Sequence, residues 1–332
     1  MNWVAIDIGS SEVKASVLDM KNTPVRLNYS MGGYYTTRLS SDVVITTSGE
    51  IIVGDDAMLL GVMNPSLLVS DWQHHSRKED ICKTLLSLVY NAAKRHYDND
   101  VIGVVVLYER VKDECLIKTC EQIFAETKPI ESSMVFVKAM PRLKSGVTVI
   151  ADFGAQNFKV SILEDGAQKS FTCNSDFGFR NLDLEFLIDS VQWDVLTDAE
   201  FSLYGILIQR VKVALNSGDS VVLPYETKIK GCAISNEYEK CMTTFLYQCF
   251  EECSNSLRAC SKAWVDVMNI LFVGGGANSS IINGVFERYM QRQGCTLKSY
   301  NTIETLFDPP YAATHMAFRL PLRQKTDVII KY

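Results

Sequence analysis

Ala5-Ile-Asp-Ile-Gly-Ser-Ser11, running into Val13-Lys-Ala-Ser-Val-Leu18, decides the reading of this chain because it occurs a second time. The second copy is Val149-Ile-Ala-Asp-Phe-Gly-Ala155, running into Phe158-Lys-Val-Ser-Ile-Leu163. In each, an apolar strand ends in an aspartate, Asp7 or Asp152. One residue intervenes, and a glycine, Gly9 or Gly154, opens a tight turn into the next strand. Without a side chain in the way, the N–H groups of such a turn can face an anion. The repetition implies two similar three-stranded units facing each other across a cleft. A third glycine turn ends Asn269-Ile-Leu-Phe-Val-Gly-Gly-Gly-Ala277, where an apolar strand breaks at Gly274, Gly275 and Gly276 and resumes as a helix from about Ser279. A helix N-terminus behind glycines suits a phosphate or an adenosine group. One Asp-x-Gly alone is more often an ordinary strand ending. Two in register, followed by the third turn, carry the functional reading.

A chain of 332 residues is long for one hydrophobic core, which favours two domains or one bilobed unit. Apolar residues make up 47% and charged residues 22%, a balance that excludes disorder. A net charge of −6 with scattered lysines and arginines leaves no basic field for a nucleic-acid backbone. A free ATP-sized anion needs only a few local donors. The longest apolar runs, such as Val104 to Tyr108, are too short to span a bilayer, and no signal peptide precedes the strand that begins by Trp3. The expectation is a cytoplasmic protein with neither a nucleic acid nor a membrane as partner. The ten cysteines include no Cys-x-x-Cys pair and read as buried small hydrophobes in a reducing compartment. Cys249, Cys253 and Cys260 share one face of a helix predicted from Cys241 to Ala263. A metal site there would need a fourth ligand that the sequence does not show.

Between these landmarks, Val43 to Thr47 and Glu50 to Val53 flank the turn signal Ser48-Gly49, and a helical stretch follows into Asn64-Pro65. The segment from Thr23 to Arg77 therefore reads as an inserted subdomain. Ile81, Leu85, Leu88, Val89 and Ala92 give Glu79 to His96 helical spacing, Val101 to Leu107 reads as a buried strand, and Asp113 to Lys128 as a helix. In the second half the expected elements are strands from Asp152 to Leu163 and Lys169 to Cys173, then helices from Asn181 to Val191 and Asp198 to Leu215. A hairpin follows at Val221 to Leu223 and Thr227 to Ile229, then the cysteine-bearing helix, a strand at Ile270 to Val273 and a last helix from Pro310 to Arg319.

Asp-x-Gly-Ser, Asp-x-Gly and Val-Gly-Gly-Gly-Ala in this order resemble the ATPase superfamily of actin, sugar kinases and heat-shock chaperones. Finer segments resemble the ATPase domain of the DnaK-type chaperones. They are Gly49-Glu-Ile-Ile-Val-Gly54 with Ala57 and Asn64-Pro65, Lys159-Val-Ser-Ile-Leu-Glu164, Phe177-Gly178 with Leu182-Asp183, Gln209-Arg-Val-Lys-Val-Ala-Leu-Asn216, Leu223-Pro-Tyr225 and Asp308-Pro309. The likeness covers residues 3 to about 319. It implies an α/β, two-lobed actin-like ATPase fold, a duplicated ribonuclease-H-like core with inserted subdomains. The first lobe would take residues 1–148 plus 305–332, with an insertion at about 25–77. The second would take 149–304, with an insertion at about 184–245. It further implies ATP or ADP with Mg²⁺ in the cleft. Gly9, Ser10 and Ser11 would hold the β- and γ-phosphates, and Gly154, Ala155 and Asn157 would face them from the other lobe. Asp7 and Asp152 would hold Mg²⁺ through water and serve the chemistry, Lys212 would contact adenosine, and Gly274, Gly275 and Gly276 would lie under the ribose and base.

The departures matter as much. Where the resemblance implies a catalytic lysine, this chain has Gln73, whose amide can donate and accept and could orient water, although a surface glutamine fits the same pattern. Ala139-Met140 stands where a Glu-Pro pair is implied, Ala155-Gln156-Asn157 replaces a glycine run, and Lys159 replaces an aspartate. His74 and His75 beside Gln73 read as surface histidines or as phosphate contacts. Losing a group that positions water or stabilises charge commonly slows phosphoryl transfer roughly a hundredfold or more, whereas binding rests on backbone N–H groups that remain. The sequence therefore reads as a stand-alone nucleotide switch, at most a weak ATPase, whose change of state a co-chaperone or other protein would sense. It would have no client-binding domain. An actin-like filament-forming ATPase and an interaction module with a vestigial cleft are the rival readings.

Overall fold

The computed structural model describes residues 1–10, 12–31, 34–37, 39–69, 72–98, 101–108, 113–175, 177–190, 208, 234–295 and 302–306. They divide into two compact units, one within Met1–Arg142 and the other within Leu143–Phe307. Each is a mixed α/β assembly around its own main sheet.

In the first unit, β1 (Asn2–Ile8), β2 (Glu12–Leu18) and β3 (Pro24–Arg26) form an antiparallel run. After the two-stranded ribbon of β4 (Tyr29–Met31) and β5 (Tyr34–Thr36), β6 (Leu39–Ser40) returns to pair with β2. β7 (Val43–Ile45), β8 (Ile51–Val53), α1 (Asp55–Met63) and β9 (Leu68–Val69) then build a small subdomain on the sheet β8-β7-β9. The chain continues through α2 (Lys78–Tyr97), β10 (Ile102–Tyr108), α3 (Glu114–Ile123), β11 (Glu126–Glu131) and α4 (Ser132–Ala139). β10 lies parallel to both β1 and β11, so the main path is β11-β10-β1-β2-β3. The apolar run of β10 is buried from Ile102 through Leu107, as a parallel strand covered on both faces requires.

The helix α2 buries Ile81, Cys82, Leu85, Leu86, Val89, Ala92 and Ala93 on one side. Glu79 and Asp80 in its first turn and Lys94, Arg95 and His96 in its last complement the helix dipole. Its C-terminal end is tied to the sheet. Tyr97 donates to the Trp3 carbonyl at 2.9 Å and accepts from the Leu18 amide at 2.8 Å, and His96 Nε2 meets the Leu18 carbonyl at 2.6 Å. The helix expected from Asp113 to Lys128 is shorter. Asp113 caps α3 by accepting from Leu116 N–H, and Phe124 is already extended. Proline disfavours helical geometry in the residue before it, so Pro129 keeps Lys128 extended and the segment becomes the edge strand β11, where a missing N–H is tolerated.

The second unit repeats the same strand order. β12 (Val147–Phe153), β13 (Phe158–Glu164) and β14 (Ala167–Asn174) are antiparallel neighbours. After α5 (Phe179–Ser190) and α6 (Ile234–Ala259), β15 (Val267–Val273) pairs parallel to β12, and beyond α7 (Ile282–Arg292) β16 (Thr302–Leu306) pairs parallel to β15. The path β14-β13-β12-β15-β16 thus matches β3-β2-β1-β10-β11 strand for strand and sense for sense. Its core is aromatic. Phe153 contacts Phe158, Phe250 and Phe272 at centroid distances of 5.0, 6.2 and 5.8 Å, and Phe286 packs on Phe250 and Phe272 at 4.9 and 5.3 Å.

The glycine run does not lead straight into the helix expected from about Ser279. Gly275–Asn278 first form a single 3-10 turn, and α7 begins at Ile282. The cysteine-bearing helix begins before Cys241, at Ile234. Cys249 and Cys253 are buried in it, and that burial pushes both thiols up, keeping them protonated as core hydrophobes. The helix expected from Asp198 to Leu215, apart from the buried Ile208, the hairpin at 221–229, the helix from Pro310 to Arg319 and the candidates Ser11 and Lys212 lie outside the described residues. No described helix is long and apolar enough to cross a membrane.

Candidate functional site

In the first unit the antiparallel register of β1 and β2 makes the turn. Gly9 N–H donates to the Glu12 carbonyl at 3.1 Å, closing a hairpin whose bend carries Ser10. The same register sets Asp7 opposite Lys14, with Nζ and Oδ2 4.0 Å apart and both side chains largely buried. Gln73 is half-buried on the single helical turn Trp72–His74, in which Trp72 is buried.

The second unit builds the same device and adds to it. Gly154 N–H donates to the Asn157 carbonyl at 3.1 Å, and Asp152 stands opposite Lys159, with Nζ and Oδ2 3.7 Å apart. A Cβ at Gly154 would come within 2.6 Å of the Asn157 carbonyl oxygen, so the close approach of backbone to backbone requires glycine. The N-terminus of α5 docks on this turn, with Phe179 N–H on the Gly154 carbonyl at 3.1 Å and Arg180 N–H on the Ala155 carbonyl at 2.7 Å. Among the described residues, the amides of Ser10, Ala155 and Gln156 donate to no backbone carbonyl, and these are the groups an anion would meet.

Parallel pairing of β12 with β15 sets Asp152 beside Val273, which delivers the third glycine turn to the second. Gly274 turns at φ 87° directly against the Asp152 carboxylate and the Phe153 backbone, and Gly276 packs on the Phe179 ring. Gly275 is exposed, with nothing within 4 Å of an added Cβ. Asp152, Gly154, Ala155, Asn157, Gly274, Gly275 and Gly276 therefore form one cluster, and Asp7, Gly9 and Ser10 form another in their own unit.

The sequence reading missed Lys14. Its signal was present: with Gly9 bonded to Glu12, hairpin geometry pairs Asp7 with Lys14 as Gly154 with Asn157 pairs Asp152 with Lys159. These lysines bear on Mg²⁺. Unlike charges about 4 Å apart attract by roughly 4 kcal/mol at an effective dielectric of 20, before hydration is counted. Each carboxylate already has an ammonium group within 4.0 Å, with which a cation held there through water would compete. Among the described residues no three His, Cys, Asp or Glu side chains come together to hold a metal. The chain matches no protein-family model and no curated protein.

Proposed function

We propose that this chain is an adenine-nucleotide-binding switch of the DnaK-type ATPase kind, a duplicated ribonuclease-H-like, actin-like fold that binds ATP or ADP at its phosphate turns and hydrolyses ATP slowly or not at all. The observation that carries this reading is the repetition. Two five-strand paths share order and sense, and each has an Asp-x-Gly turn closed by a 3.1 Å N–H bond at the end of its first strand. Ordinary strand endings have no reason to recur at the same place in the same topology. The glycine turn at 274–276, set against Asp152, supports a nucleoside site beside the phosphate turn. Gln73 in place of a lysine and Ala139 in place of a carboxylate support weak turnover. The switch would act through a change of conformation sensed by a protein partner.

Equilibrium dialysis of the purified chain against labelled ATP and ADP tests the reading. Saturable binding of both is expected, and no binding at millimolar nucleotide would overturn it. A second reading, an interaction module whose turns are vestigial, draws on the ion pairs that already neutralise Asp7 and Asp152; it expects no binding of either nucleotide.

A further inference from the structure

We infer that Cys82 and Cys115 are a peroxide-sensitive pair that closes into a reversible disulfide between α2 and α3, a modification site within the first unit that does not depend on the nucleotide reading. The two helices pack side by side, and their N-terminal ends are pinned together. Lys78, the first residue of α2, meets Asp113, the cap of α3, with Nζ and Oδ2 2.7 Å apart. Cys82 stands one turn beyond Lys78, and Cys115 stands in the first turn of α3, so the ion pair brings the two cysteines together. Their thiols are hydrogen-bonded to each other. A disulfide needs side chains aimed at one another, and this contact supplies that condition.

The two cysteines differ in exposure, which divides the chemistry between them. Cys82 is 1% exposed in the core of the first unit, whereas Cys115 is half-buried at the margin of that core. Peroxide therefore reaches Cys115 first. The Cys115 sulfur attacks one peroxide oxygen, the O–O bond breaks, and a sulfenic acid and one water are left. The Cys82 sulfur then attacks Cys115: the S–S bond forms, the sulfenic S–O bond breaks, and the Cys82 proton leaves with the hydroxyl as a second water. Two thiols are oxidised and one peroxide is reduced to two waters. A small thiol reverses the change by exchange, entering at the more exposed sulfur.

The test is oxidation of the reduced full chain with hydrogen peroxide under native conditions, followed by alkylation of the remaining thiols, digestion, and mass spectrometry without reduction. The expected result is a linked peptide pair joining Cys82 to Cys115 as the main disulfide, lost on treatment with dithiothreitol. In Cys82→Ala, checked for native far-UV circular dichroism, the sulfenic acid at Cys115 has no partner thiol at position 82. Dimedone, which captures sulfenic acids, should then label Cys115 more than in wild type. The wild-type result needs no variant, so the test stands even if Cys82→Ala fails to fold. Oxidation confined to other cysteines, such as the exposed Cys173, with Cys82 and Cys115 both alkylated, would overturn the inference. A linked pair that forms only when the chain is oxidised in urea would overturn it as well, because the native contact would then not be its cause.

Discussion

Replacing Gly274 by alanine should destabilise the second unit by several kcal/mol, while the same change at Gly275 should do almost nothing. Gly274 sits at φ 87° and ψ 173°, a region essentially closed to residues with a Cβ. Forcing one into it costs about 1–3 kcal/mol. The added methyl would also run into the Asp152 carboxylate and come within 2.8 and 2.9 Å of the Phe153 carbonyl oxygen and carbon. The carboxylate can swing aside, but the Phe153 backbone is fixed in β12 between β13 and β15. Overpacking of this kind adds about 1–3 kcal/mol, giving roughly 4 kcal/mol in all. With a urea dependence of about 2 kcal/mol per molar, the unfolding midpoint should fall by roughly 2 M. Gly275 has nothing within 4 Å of an added Cβ and does not have positive φ, so Gly275→Ala should stay within about 0.5 kcal/mol of wild type. Urea titrations followed by far-UV circular dichroism compare the two. Equal midpoints for Gly274→Ala and Gly275→Ala would refute the claim that the third turn is locked against Asp152 and Phe153.

Tyr238→Phe removes the hydroxyl that donates to the buried Asp183 carboxylate and should lower stability by about 1.5–3 kcal/mol, read as a fall in the urea midpoint. Ser254→Ala takes the acceptor from Trp264 Nε1, at 2.7 Å, and a partner from Tyr289, at 2.6 Å, and should cost about 1–3 kcal/mol by the same assay. Glu251 is held below its ordinary value of 4.5 by hydrogen bonds from Arg258 and Tyr289. A carboxylate lowered in the folded state contributes stability above its unfolded value and loses it as pH falls through the folded one. Urea midpoints taken downward through pH 4.5 should therefore fall less steeply for Glu251→Gln than for wild type; identical slopes would contradict the assignment.

Strand and turn signals were the legible part of the chain. Gly9 and Gly154 sit between runs that alternate or are wholly apolar, and local spacing alone fixes which residues close each hairpin. The apolar stripe of α2 was equally plain. Less legible was the run from Asp113 to Lys128, where a good cap and helical spacing lead without a glycine into Thr127-Lys-Pro129, and the proline decides for a strand. The helix α4, Ser132–Ala139, was missed because Val135 and Val137 carry no helical preference of their own; their burial, like that of Phe136, comes from packing. The cluster of Asp152 with Gly274 depends on a parallel pairing between strands far apart in sequence, which no local pattern announces. Lys14 was overlooked for a simpler reason: a lysine in a strand reads as an outward charge until its cross-strand partner is known.

The central claim is that the duplicated turns bind an adenine nucleotide and leave it largely intact. A single-turnover incubation tests it most directly: stoichiometric protein with labelled ATP, bound nucleotide separated from free, and the bound fraction resolved into ATP and ADP. The account predicts bound label that remains mostly ATP over many times the dissociation time. No bound label would contradict the nucleotide site itself. Prompt conversion of bound ATP to ADP would contradict the claim that Gln73 and Ala139 leave the chain without efficient hydrolysis.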